Sequence, residues 1–151
     1  MTPDLSPTRV ERSTTARSSI SGQLLVAAYT VLAVAAGARA GVQIVTRFEE
    51  APLPYALSGG AAVVYLVAAV ALRRPGRNAR RTAMTALGVE LVGVLLVGTA
   101  SVFDPAAFPD ESVWSAYGIG YGFAPLVLPV VGLMWLRGQA TARTQVSPGP
   151  N

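Results

Sequence analysis

TAMTALGVELVGVLLVGTASVF, residues Thr82 to Phe103, decides the fold class, because it is apolar enough to cross a bilayer and holds a single charge, Glu90. An acidic side chain at the centre of a membrane helix costs roughly 2.5 to 3.5 kcal/mol on insertion scales, so an intramembrane carboxylate marks a candidate functional site. The composition around it agrees with a membrane setting. Of all residues 52% are hydrophobic and only 13% charged, where an ordinary soluble domain carries about 25% charged residues.

Outward from Glu90, three more apolar windows complete the pattern: Leu24 to Thr46, Ala56 to Leu72 and Tyr117 to Leu136. Together they predict an all-α fold, a polytopic four-helix transmembrane bundle over residues 24–136, with helices at 24–46, 56–72, 82–103 and 117–136. The second window is short, and Pro54 marks its start. Residues 1–23 and 137–151 lack apolar periodicity and read as disordered cytoplasmic ends.

All twelve basic residues are arginine. Arg9, Arg12 and Arg17 precede the first span, Arg73, Arg74, Arg77, Arg80 and Arg81 lie between the second and third, and Arg137 and Arg143 follow the fourth. The other two connections carry Glu49, Glu50, Asp104, Asp110 and Glu111, with Arg47 as their one basic residue. The positive-inside rule then puts both termini in the cytoplasm, and the chain reads as a multi-pass protein of the plasma (inner) membrane. Phe48, Tyr55, Phe103, Trp114 and Tyr117 read as an outer aromatic belt, Trp135 as an inner one. The start of the chain also imitates a signal peptide, with Ala38-Arg39-Ala40 as its cleavage site, but apolar character resumes at Val42 to Val45 and restores a full span.

The chain has no cysteine and no histidine, which excludes disulfides, thiol redox chemistry, histidine or thiolate metal sites and histidine general bases. The hydroxyls within the spans, Ser58, Thr85, Thr99 and Ser101, have no histidine or lysine to activate them. The chain therefore reads as a non-enzyme with no cofactor and no metal. Nucleic-acid binding is disfavoured because no soluble domain presents the basic charge.

Helical spacing assigns faces. Glu90 shares a stripe with Ala83, Ala86, Gly93, Val97 and Ala100, small residues of the kind that let membrane helices approach, so it points into protein. In the fourth span Gly118, Gly122, Pro125, Pro129 and Gly132 form one small, kinked face, with each proline freeing a carbonyl four residues back, those of Tyr121 and Pro125. In the first span Gly37 and Gly41 form a GxxxG face, extended by Ala33, that suits pairing with a second copy. Arg39 lies about 160° away, on a polar stripe with Tyr29, Leu32, Ala36, Gln43, Thr46 and Glu50.

Arg39 and Glu90 invite an ion pair, although the helical rise separates their backbones by about 10 Å along the membrane normal. Arg39 has a rival partner in the hydroxyl or freed carbonyl of Tyr121, which is level with it. The alternative matters for function. A paired Glu90 is architecture, whereas an unpaired one is a group that binds and releases protons. The cluster from Arg73 to Arg81 sets topology and is suited to anionic lipid headgroups.

AGARAGVQ in the first span, GVELVGVLLVG in the third and ESVWSAYGIGYGFAPLVLPVVGLMWL in the fourth resemble the small four-helix integral membrane proteins of actinobacteria, a family of unknown function. The resemblance covers roughly Leu24 to Leu136 and implies membership without implying an activity. The small multidrug resistance transporters are similar in size and helix count, but their membrane glutamate belongs to the first helix, where this chain has Arg39. Two functions follow as expectations: an accessory or scaffold subunit built on an Arg39/Glu90 polar centre, or a small proton-linked transporter or channel using Glu90.

Overall fold

A computed structural model of the chain describes residues 9–145, with side chains described for residues 20–139. The regular structure among them is entirely helical: α1 is Arg9–Arg47, α2 Pro52–Arg73, α3 Arg77–Phe103 and α4 Ala124–Gln145, with short 3-10 segments at Pro105–Ala107 and Ser115–Tyr121. α2, α3 and the part of α1 from Ile20 are long and apolar enough to cross a membrane. A fourth crossing exists if Ser115–Tyr121 and Ala124–Gln139, bent by 95° at their junction, count as one span.

Inside and outside are inverted relative to a water-soluble bundle. Val31, Val34 and Val45 of α1, Leu66 of α2 and Val92 and Leu96 of α3 are exposed, while the interior is built from alanines, Tyr29, Tyr65, Leu87 and Glu90. Acyl chains solvate branched aliphatic side chains as well as a protein core does, and small interior residues let the helix backbones close on one another.

Helix ends differ from the apolar windows for identifiable reasons. α1 begins at Arg9, so residues 9–23 are helical rather than disordered. No proline or glycine interrupts Arg9 to Ser21, and extending a helix that is already nucleated adds one hydrogen bond for each residue fixed. α4 likewise runs on past Leu136 to Gln145. The expected disorder of residues 1–8 and 146–151 lies outside the described residues. α2 starts at Pro52, with proline in its first turn, and its 22 residues span about 33 Å. Between α2 and α3 only residues 74–76 are non-helical. Pro75 drives Arg74 into extended backbone, and Gly76 turns with a φ of 110°, which leaves Arg77, Arg80 and Arg81 on the first turns of α3 rather than in a loop.

The fourth helix expected at 117–136, kinked but continuous, is corrected by the structure to a 3-10 segment and a separate helix bent by 95° at their junction. The chain turns after Phe103 through a 3-10 segment capped by Asp104, whose side chain accepts from the Ala107 amide at 3.3 Å. Ser112 and Ser115 then lock the next turn, the amide of Ser112 donating to Ser115 Oγ at 2.9 Å and the amide of Ser115 to Ser112 Oγ at 3.1 Å. Ala116, Tyr117, Gly118, Gly122 and Phe123 all have positive φ. Three glycines in this stretch weaken helix by about 1 kcal/mol each relative to alanine. Pro125 lacks the amide that a continuous helix would need, so α4 starts at Ala124 with Pro125 in its first turn, where no amide is missed. Only Pro129 remains inside the helix. Gly118 and Gly122 therefore share no helix face with Pro125, Pro129 and Gly132. Gly118 is instead required by its own geometry: its φ is 81°, and a β-carbon there would lie 2.8 Å from the Pro125 ring.

Candidate functional site

Glu90 is wholly buried on the inner face of α3. The hydroxyl of Tyr29, from α1, donates to its Oε2 at 2.6 Å. Its Oε1 is buried with no hydrogen-bond partner. Tyr65 of α2 stands against Tyr29, with ring centroids 6.1 Å apart, and its hydroxyl accepts from the Trp114 indole at 2.9 Å. Three helices and the broken segment thus each give one aromatic or acidic group to the same centre.

Trp114 is the plug of this centre. Read from sequence as an interfacial residue, it is buried, and its ring lies so close to α3 that a β-carbon at Gly93 would come within 2.6 Å of it. Gly93 lies about 15 Å back along α3 from Phe103, so the chain that leaves α3 turns back until Ser112, Val113, Trp114 and Ser115 are buried in the bundle, while Asp104 to Ala107 stay exposed. Gly98 continues the same seam, where a β-carbon would meet the Tyr117 backbone nitrogen at 2.8 Å. Gly93 and Gly98 leave the room on α3 that Trp114 and Tyr117 occupy.

The expected Arg39/Glu90 pair does not form. Among the described residues no cation comes within ion-pairing reach of Glu90. The Arg39 guanidinium instead donates to the Glu111 carbonyl at 3.2 Å and lies 3.8 Å from Asp110 Oδ1. Its competing expectation, Tyr121, is not the partner either. Tyr121 ends the 3-10 segment, half-buried against the core, and no helix continues through it to free its carbonyl. The physical reason is proximity at lower cost: the return of the chain after Phe103 brings Asp110 to Arg39 where both remain over a third exposed, so neither charge is fully stripped of water.

Asp110 is the second polar centre. Its Oδ2 accepts from Gln43 Nε2 at 3.1 Å and from the Tyr55 hydroxyl at 2.9 Å, and Oδ1 accepts from the Glu111 amide at 2.8 Å. One turn below, Ser58 Oγ accepts from the Val113 amide at 3.1 Å while donating to the Pro54 carbonyl at 2.9 Å. The segment is pinned to α1 and α2 by these contacts. Gln43 was legible as part of the α1 polar stripe; Asp110, Tyr55 and Ser58 were not, because no helical spacing tells that the segment after Phe103 packs back against α1 and α2.

The remaining candidates are scattered. Gly37 faces Ala62 of α2, 3.7 Å from where its β-carbon would lie, while Gly41 has open space around it, so the GxxxG face is partly used within the chain. Of the arginine cluster, Arg80 donates to the Leu136 carbonyl at 2.8 Å, and Arg73, Arg74, Arg77 and Arg81 are exposed. Among the described residues no group of three or more acids is placed to hold a metal ion. Tyr29 and Tyr65 are site residues that the sequence reading missed. The signal was present in Tyr29, which stood on the polar stripe of α1, and in Tyr65, a lone phenol in an alanine and valine span. No known family, curated protein or solved structure matches the chain.

Proposed function

We propose that the chain is a small proton-linked carrier or channel of the plasma membrane, with Glu90 as its proton-binding group and residues 104–123 as its gate. One observation carries this reading: a wholly buried carboxyl group with one oxygen unpartnered and, among the described residues, no counter-charge, one helical turn from Gly93, where Trp114 of the irregular segment packs. A purely structural carboxylate gains from a cation beside it, and the cation expected there, Arg39, is engaged elsewhere. In this reading lifting of the segment opens Glu90 to water and closure over it returns the carboxyl to the bundle. The proposal includes four spans with both termini cytoplasmic, supported by the arginine distribution. It also includes membership of the small four-helix membrane proteins of actinobacteria that the sequence resembles.

Proteoliposomes with a trapped pH indicator test it. Wild-type protein should pass protons down an imposed gradient, and Glu90→Gln, which keeps the size and the hydrogen bond from Tyr29, should abolish the flux while remaining folded. A Glu90→Gln protein with wild-type flux would sink the proposal.

A second reading, a non-catalytic accessory or scaffold subunit, is favoured by the closed packing of the Glu90 centre, whose groups join α1, α2, α3 and the broken segment. It expects no proton flux from either protein and a stable complex with another membrane protein or a second copy. The exposed Gly41 end of α1 is the place for such contact.

A further inference from the structure

Two adjoining hollows run along the outer face between α2 and α3. One, of about 580 Å³, is lined by Val67, Val70 and Thr82 and opens at Arg74. The other, of about 400 Å³, is lined by Val63, Val67, Thr82 and Val89 and opens at Arg81. They share Val67 and Thr82, so they form one groove, apolar along its length and basic at its arginine-rich end. The helical rise makes it about 16 Å long on α2, from Val63 to Arg74, and about 12 Å on α3, from Arg81 to Val89. One leaflet of the hydrocarbon core is about 15 Å thick.

We infer that this groove seats one anionic phospholipid, its acyl chain along Val63, Val67 and Val89 and its phosphate headgroup between Arg74 and Arg81. Charge complementarity selects the occupant. Neither arginine has an acidic partner among the described residues, and both sit where the chain leaves the hydrocarbon. α3 also starts here with no side chain capping its first turn, and an uncapped helix N-terminus favours a nearby anion. Arg80, two helix positions from Asn78, is removed from the set by its bond to the Leu136 carbonyl. The site therefore belongs to two arginines of the cluster rather than to its total charge. It is independent of Glu90 and stands whether or not the protein moves protons.

Native mass spectrometry of the full chain, extracted in detergent with equimolar phosphatidylglycerol and phosphatidylcholine of matched chains, tests the inference. One phosphatidylglycerol should be retained in preference. Arg74→Gln or Arg81→Gln should each weaken its retention about five-fold, and the pair about thirty-fold. Arg73→Gln removes the same charge outside the groove and should change retention less than two-fold. Equal retention of the two lipids, an Arg73→Gln loss as large as that of Arg74→Gln, or displacement of the lipid by inorganic phosphate alone would overturn the assignment. Surface glutamines leave the helices intact, and circular dichroism of each variant verifies that.

Discussion

Two carboxylates divide the polar chemistry of this molecule. Glu90 is completely buried and has one hydrogen-bond partner, whereas Asp110 is 38% exposed and draws in Arg39, Gln43 and Tyr55. The arginine went to the wetter acid. A pair that keeps part of its hydration avoids most of the desolvation cost that a buried pair must overcome, and the chain has no second intramembrane arginine to give Glu90. Asp110 fastens a segment; Glu90 is what that segment covers.

The comparison breaks most readily at Trp114, which joins the two centres. Trp114→Ala should cost about 3 to 5 kcal/mol, the range for emptying a large buried aromatic site, read as a lower unfolding midpoint in detergent. A cost below about 1 kcal/mol would mean that the segment is not seated in the bundle. Tyr29→Phe removes the one donor to Glu90 and should destabilise by about 1 to 3 kcal/mol, while Tyr55→Phe at the partly hydrated Asp110 should cost about 1 kcal/mol or less. Equal costs for the two phenols would erase the distinction between the centres. Smallest is Arg39→Ala, expected at about 0 to 1 kcal/mol because its pair is exposed and screened by water and salt. A double-mutant cycle of Arg39→Ala with Glu90→Ala should be additive within about 0.5 kcal/mol, and a larger coupling energy would restore the ion pair that the structure lacks.

Much of this was legible in the sequence, and what was missed has one origin. The apolar windows placed three membrane-capable helices, and the small-residue stripe correctly turned Glu90 inward. Hydropathy reads lengths of apolar chain, and it counted Tyr117 to Leu136 as a span because glycine and proline lower its mean little. Backbone chemistry reads the same residues differently: Gly118, Gly122 and Pro125 favour a break, and the structure bends by 95° there. Once that span breaks, Trp114 packs into the bundle while Asp110 stays partly exposed beside α1, and Arg39 gains a partner that no helical wheel displays. Gly93 and Gly98 were visible as small residues, but only the inserted segment tells what they are small for.

Trp114 is also an optical probe supplied by the chain itself. The protein has two tryptophans, one at the Glu90 centre and one, Trp135, packed against Gly22 near the arginine-rich end. In a Trp135→Phe background the emission maximum belongs to Trp114 alone. Its wavelength then registers, in real time and without a label, whether the indole sits dry beside Tyr65 or has met water.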